Sequence, residues 1–168
     1  MEKKSELYGT SEVARILRMP EWRVKNFTEG AAYRLPPALR VGSGRGSRRL
    51  YSWQDIFRLG IADELVKFGF TPESVGAAIR EIPESTLAPY EPFLRYERPE
   101  TEGHLKASET PLLINHGGSW RFLMAKDVQH DWSKTVKHGG GRKGLFVFNI
   151  ANACDSIFAA LERHWKGD

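Results

Sequence analysis

Apolar residues near the start of the chain recur at helical spacing in two short segments. In the first, Val13, Ile16 and Leu17 share one side, which predicts a helix over residues 11–19. Pro20 ends this helix, because proline disfavours helical geometry in the residue before it, and proline is also well placed in the first turn of a new helix. The pattern therefore predicts two helices separated by a tight break.

The second helix is predicted over residues 21–29 and ends at Gly30. Val24 and Phe27 form its core-facing side. Its other side carries basic, amide and indole groups, on Trp22, Arg23, Lys25 and Asn26. Trp22 has two interpretations of equal weight, a side chain that faces DNA or core packing at the corner between the two helices.

Residues 38–51 alternate in the way typical of a β-hairpin. Leu39 and Val41 flank Arg40, and residues 43–46 supply a turn that tolerates positive φ, with Arg45 at its tip. A glycine-rich loop can also bind nucleotide phosphate, but these glycines do not lead from a strand into a helix that starts with Lys and Ser or Thr. The hairpin is therefore the favoured prediction.

Two more helices follow, each with a recognisable start. Ser52 and Asp55 have the spacing of a capping box, which predicts a long helix from there to about Phe68. Thr71 and Pro72 then begin a fourth helix, predicted to end at residue 82. The order helix, turn, helix, hairpin, helix, helix is that of a winged helix-turn-helix module.

The second half of the chain begins with a change in composition. Prolines and acidic residues fill residues 84–109, which predicts a linker. Strand-like runs follow at residues 111–114, 120–124 and 145–148, and the last two are expected in one small sheet.

An amphipathic helix is expected over residues 149–165, and its apolar side is formed by Ile150, Ala153, Ile157, Phe158 and Leu161. This side either covers the protein's own small sheet or serves as a surface for self-association. The predicted fold class is α+β, with a mostly helical winged helix-turn-helix domain over residues 7–83 and a small α+β domain over residues 110–168.

Composition and cysteine use narrow the class of protein. The chain of 168 residues is 40% hydrophobic, which is enough for a folded core. It has no apolar run near the roughly 20 residues that a membrane span needs, and its first residues lack the apolar stretch of a signal peptide, so a cytoplasmic location is expected. A single cysteine, Cys154, forms neither an internal disulfide nor a thiolate metal cluster, and its apolar neighbours predict a buried, inert thiol.

Net positive charge is concentrated in the first third of the chain. Residues 1–51 hold eleven Lys and Arg against five Asp and Glu, whereas residues 52–168 hold fourteen against sixteen. A basic end on a balanced chain is typical of a protein that binds a polyanion. Because Arg and Lys contact phosphate or guanine and Asn can read adenine, double-stranded DNA is the expected partner. The predicted DNA contacts are Trp22, Arg23, Lys25, Asn26, Arg40, Arg45, Arg48, Arg49 and Tyr51.

Several of these segments together resemble the MerR-type winged-helix DNA-binding domain. The similarity in order and spacing lies in Glu12-Val13-Ala14, Val24 to Phe27 with Glu29-Gly30, Arg49-Leu50-Tyr51-Ser52, and Leu65 to Phe70 with Pro72-Glu73. The resemblance covers roughly the first half of the chain and implies a dimer that binds a palindromic operator near a promoter. It also implies DNA contacts by the second helix and the wing, through Arg23, Lys25, Asn26, Arg48, Arg49 and Tyr51.

Three features depart from the family's pattern. Asn26 stands where the family usually has an aromatic residue, and residues 31–35 are extra sequence between the second helix and the hairpin. Where the family continues into a long pairing helix, this chain has four prolines. Self-association is therefore assigned to the apolar side of the helix over residues 149–165, and the expected assembly is a homodimer.

Candidate catalytic or metal-binding residues are few. Asp127, His130 and Asp131 would share one side of a helix, with His116 or His138 as a further metal ligand, but a polar surface explains this spacing better. No catalytic residue, metal site or cofactor is therefore expected. The aromatic residues of the second half are expected to fill its core, with a pocket for an effector as the alternative.

The sequence favours a transcriptional regulator that binds specific DNA sequences through a winged helix-turn-helix. Two alternatives remain. One is a DNA-architectural factor of the excisionase kind, and the other is an adaptor whose second half binds a protein while its first half anchors it to DNA. No enzyme activity is expected in any of the three.

Overall fold

The computed structural model describes residues 7–30, 32–33, 35, 39–41, 48–90, 109–128 and 145–166. They form mixed α and β structure with two small sheets, in agreement with the predicted α+β class. The chain clusters into two compact units, of which the first is Met1–Ile79 with Ala153–Asp168 and the second is Arg80–Asn152. This division differs from the predicted boundaries, because the last helix begins in the second unit and continues into the first.

The helices of the first half follow the predicted segments closely. They are α1 (Thr10–Ile16), α2 (Glu21–Glu29), α3 (Trp53–Lys67) and α4 (Pro72–Glu81). Only α1 ends clearly earlier than predicted, since Leu17 is its C-cap and Arg18 adopts a left-handed φ of 52°. The chain therefore turns before Pro20, and four residues join α1 to α2. Both helices bury apolar side chains against the first unit's core, which includes Val13, Ile16, Val24, Phe27, Ile56, Leu59 and Leu65.

The predicted starts of α3 and α4 are confirmed. Ser52 Oγ accepts a hydrogen bond from the Asp55 backbone N–H at 3.2 Å, and Asp55 Oδ2 accepts one from the Ser52 N–H at 2.9 Å, so the capping box is complete. Thr71 Oγ1 accepts a hydrogen bond from the Ser74 N–H at 3.3 Å. Gly69 follows the end of α3 with a φ of 86°, a left-handed conformation that favours glycine.

The first sheet contains the predicted hairpin and one further strand. Strands β1 (Tyr8–Gly9), β2 (Leu39–Val41) and β3 (Arg48–Tyr51) are antiparallel in the order β1-β3-β2. Arg40 pairs with Arg49 across β2 and β3, and Tyr8 pairs with Tyr51 across β1 and β3. β1 was not predicted, because two residues are too short to show an alternating pattern.

The second unit begins with two short 3₁₀ turns, Glu84–Thr86 and Ala88–Tyr90. Residues 84–90 were predicted as the start of a linker, yet Leu87 and Tyr90 are buried there. The rest of that predicted linker, up to residue 108, lies outside the described residues.

All three predicted strands of the second unit form one antiparallel sheet. They are β4 (Pro111–His116), β5 (Ser119–Met124) and β6 (Leu145–Asn149), in the order β5-β4-β6. The expected pair β5 and β6 is therefore in one sheet, with β4 between them. The turn from β4 to β5 uses Gly117 and Gly118, with φ values of 61° and 89°.

The last helix, α5 (Ile150–Lys166), packs its apolar side inside the chain. All five residues predicted on that side are buried. Within the first unit, Ile157 packs against α3 so closely that a Cβ added to Gly60 would lie 2.5 Å from Ile157 Cδ1. Near the end of α5, Arg15 Nη2 donates to His164 Nδ1 at 3.1 Å. The apolar side is therefore not free to serve as the predicted self-association surface, and from Ala153 onward it covers helices of the first unit.

Candidate nucleic-acid interface

The outward side of α2 displays three different side chains. Trp22 is 66% exposed, and Lys25 and Asn26, three and four residues further on, are exposed as well. Val24 and Phe27 are fully buried on the other side, as the apolar spacing predicted. The exposure of Trp22 excludes core packing for this side chain.

Arg23 is less outward than predicted. Its side chain is only 26% exposed, and its Nε lies 2.8 Å from Asp63 Oδ1 on α3. The separation is that of an ion pair, although its geometry does not satisfy a hydrogen bond to Oδ1. Part of the guanidinium is therefore committed to the protein's own core.

Asp63 also contacts a lysine one turn further along α3. Lys67 Nζ lies 2.9 Å from Asp63 Oδ2 and 2.7 Å from Glu64 Oε1. The hydrogen bond to Glu64 raises the pKa of Lys67, with further contributions from Asp63, and partial burial opposes the shift.

Tyr33 lies close to the same charges. Its ring packs edge-on against Phe27, with ring centroids 4.8 Å apart. Its backbone is so close to α4 that a Cβ on Gly76 would overlap the Tyr33 carbonyl oxygen. Burial raises the pKa of Tyr33, and the positive charge of Arg23 opposes that shift. Tyr33 thus places part of the extra sequence, residues 31–35, in the core beside α4.

The two arginines of β3 have different surroundings. Arg48 is exposed and has no ion-pair partner among the described residues. Arg49 is only 18% exposed and forms an ion pair with Glu29 at the end of α2. This contact joins β3, and hence the hairpin, to α2.

Tyr51 was predicted as a DNA contact, but its side chain does not reach the surface. Its side chain is fully buried, and its hydroxyl has no hydrogen-bond partner in the described part of the chain. The cause is strand alternation, since Tyr51 shares the inward side of β3 with Arg49, whereas Arg48 points outward. Tyr51 is therefore a core residue. Arg45 lies outside the described residues, and of Arg40 only the backbone in β2 is described.

A polar cleft of about 630 Å³ lies where the start of α1, one edge of α2 and β3 meet. It is lined by Gly9, Thr10, Ser11, Glu12, Glu21, Lys25, Glu29, Arg48 and Arg49. Two of its acids have partners within the protein: Glu12 Oε2 accepts a hydrogen bond from the Gly9 N–H at 2.7 Å, and Glu29 pairs with Arg49. Lys25 Nζ is 3.9 Å from Glu21, at the limit of an ion pair. Arg48 and Lys25 are therefore the cations that the cleft leaves most open to an external anion.

The sequence did not predict Asp63 as the partner of Arg23, nor Glu29 as the partner of Arg49. A signal for Asp63 is present, because it lies four residues after Leu59 and seven after Ile56, on the apolar side of α3. An acid on such a side needs a cationic partner, but the spacing does not say which one.

The other candidate metal ligands form no metal site within the described residues. No three His, Cys, Asp or Glu side chains come close enough there to hold a metal ion. Asp127 is exposed in a helical stretch at residues 125–128, while His130 and Asp131 lie outside the described residues. The Cys154 thiol is buried, as predicted.

No helix in the described ranges is long and apolar enough to cross a membrane. No protein-family model matches the chain, and no curated protein matches it.

Proposed function

We propose that this protein is a sequence-specific DNA-binding transcriptional regulator whose first unit acts as a winged helix-turn-helix of the MerR type. The observation that carries the proposal is the exposed set Trp22, Lys25 and Asn26 on α2, next to the exposed Arg48 on β3. In this proposal α2 is the recognition helix and the β2–β3 hairpin is the wing.

The dimensions of α2 suit a DNA groove. With its side chains an α-helix is about 10–12 Å across, which fits the width of about 12 Å of the major groove of B-DNA, and the nine residues of α2 extend about 13.5 Å along the helix axis. Trp22 is exposed on this side, and Trp is enriched among the residues that contribute most of the binding energy at interfaces. The amide of Asn26 can pair with an adenine edge, and Lys25 can donate to guanine or phosphate.

The distribution of charge also supports DNA binding by this surface. The first 51 residues carry the whole net positive charge of the chain. Within the cleft, Glu12 and Glu29 are occupied by partners of their own, so they act as internal anchors. Arg48 is then the best placed phosphate contact among the described residues, with Arg40 and Arg45 of the hairpin as further proposed contacts.

The proposal is tested by selecting DNA from a random duplex pool with the wild-type protein, followed by footprinting of the selected sequence. Lys25→Ala should weaken binding to the selected duplex by about 1 to 3 kcal/mol and leave the thermal unfolding midpoint unchanged. The matched control is Lys126→Ala, which removes the same charge from an exposed position in the second unit. Failure to enrich any sequence, or equal losses in the two variants, would refute α2 as the recognition helix.

A further inference from the structure

Asp63 is the only charged side chain that is buried among the described residues. Its carboxylate is 7% exposed and lies on α3, on the side that faces the core. Removing an ionised carboxylate from water is costly unless cations and hydrogen bonds compensate for the lost hydration. The cations that contact Asp63 therefore have to compensate for the hydration that its carboxylate loses.

The two cations that compensate this charge are not equivalent. Lys67 is 55% exposed, belongs to the same helix as Asp63 and also bonds to Glu64. Arg23 comes from α2 and is more deeply buried. Lys67 could neutralise Asp63 without involving α2, so the contact with Arg23 does something that Lys67 does not do: it links the two helices.

The contact also restricts the Arg23 side chain. The separation of 2.8 Å from Asp63 Oδ1 is at Nε, and the two Nη groups carry four further N–H donors. Part of the side chain stays exposed, directly beside the exposed Trp22 in the sequence of α2. An arginine held in one orientation loses less conformational entropy when it binds, and its planar end can pair with both guanine acceptors.

We propose that Asp63 is a positioning residue for DNA recognition, which holds Arg23 so that its Nη groups read a guanine edge from the side of α2. This inference rests on the proposed function and deepens it, because it assigns sequence preference to a residue of α3 that does not touch DNA. Arg23 is then both anchored in the protein and a base contact.

The test compares Asp63→Asn with Glu64→Gln in the full chain. Both variants remove one negative charge from neighbouring positions of α3, but Glu64 does not contact Arg23 in the described structure. Affinities are measured for the duplex that wild type selects from a random pool and for a duplex of scrambled sequence. Asp63→Asn should lower the ratio of these affinities about tenfold, and Glu64→Gln should leave the ratio unchanged.

Arg23→Lys provides the second variant. It keeps a cation for Asp63 and removes the two Nη groups, so it should lower the same ratio and relax preference at the same base pair of the selected duplex. Adding Asp63→Asn to Arg23→Lys should cause no further loss, since both changes remove one contact. If Asp63→Asn does not fold, an unchanged ratio in Arg23→Lys still overturns the inference.

The outcomes separate the two proposals. A wild-type protein without preference between duplexes removes the proposed function and this inference with it. A wild type that discriminates, with an unchanged ratio in Asp63→Asn or Arg23→Lys, overturns the inference only. Equal losses on both duplexes would assign Asp63 a purely structural role and overturn it as well.

Discussion

Arg23, Arg48 and Arg49 were all predicted as DNA contacts, but their guanidinium groups have different neighbours. Arg23 faces Asp63, Arg49 pairs with Glu29, and Arg48 is exposed without an ion-pair partner among the described residues. A guanidinium that already has a carboxylate partner gains less from a phosphate than an open one does. The three substitutions to alanine are therefore expected to act in different ways.

For Arg48→Ala we expect weaker binding to all DNA sequences alike. Loss of one phosphate contact should reduce the slope of log affinity against log salt by about 0.9. Arg49→Ala is the comparison, because it also breaks the link between β3 and α2 and should lower the thermal unfolding midpoint. Titrations at several salt concentrations measure the slope, and a slope equal to that of wild type in Arg48→Ala would exclude a phosphate contact there.

Tyr33 is expected to make the stability of the protein fall at alkaline pH. Burial raises its pKa in the folded state, so the folded chain holds the phenolic proton more strongly than the unfolded chain does. The resulting stabilisation is present below a pH of about 10 and is lost as pH rises toward the folded-state pKa. Tyr33→Phe should flatten this decline, as measured by urea unfolding between neutral and alkaline pH. An equally steep decline in the variant would show that other groups cause it.

At the scale of elements, the packing of α5 on α3 is the contact that most constrains the first unit. Gly60 lies in α3, where Ile157 of α5 approaches its backbone. In an open helix, replacement of glycine by alanine stabilises by about 1 kcal/mol. Here the added Cβ would lie 2.5 Å from Ile157 Cδ1 and 2.7 Å from its Cγ1, so steric overlap opposes the gain in helix propensity.

Gly60→Ala should therefore destabilise the wild-type chain, by about 1 to 3 kcal/mol. Ile157→Ala alone should also destabilise, because it leaves a cavity. In the Ile157→Ala background, however, Gly60→Ala should cost much less than in the wild type, since the two closest atoms are gone and only Leu17 Cδ2, at 3.3 Å from the added Cβ, remains tight. Chemical unfolding of the four proteins gives this double-mutant cycle, and a coupling energy near zero would contradict the packing of α5 on α3.

At the scale of the whole molecule, α5 makes the first unit discontinuous in sequence. The unit needs residues 153–168 as well as residues 1–79. α5 supplies it with the buried side chains of Ile157, Phe158 and Leu161. Each such side chain contributes about 1.5–3 kcal/mol when buried, and their sum is comparable to a typical domain stability of about 5–15 kcal/mol.

A chain cut after Pro83 should therefore lose cooperative unfolding and DNA binding of every kind. A cut that only removed a self-association surface would instead leave a folded monomer with non-specific DNA binding. Circular dichroism during heating, together with sedimentation of the full chain, distinguishes these results. The homodimer remains a proposal, and its surface has to lie outside the apolar side of α5.

Local patterns in the sequence were enough to determine several elements. The spacing of Val24 and Phe27, with Gly30 after them, predicted the bounds and the buried side of α2. Ser52 and Asp55 predicted the start of α3, and alternation predicted β2 and β3. These features depend on repeats of 3.6 or 2 residues and on hydrogen bonds between near neighbours, which a sequence displays directly.

Only the tertiary structure decided which candidate side chains are open to a partner. Arg23 and Asp63 are 40 positions apart, and Arg15 and His164 are 149 apart, so no periodicity relates them. Tyr51 is buried and Trp22 exposed because of what the rest of the first unit covers. Burial and ion pairing depend on how distant segments pack together, and an amphipathic pattern shows that a side of a helix is covered without showing by what.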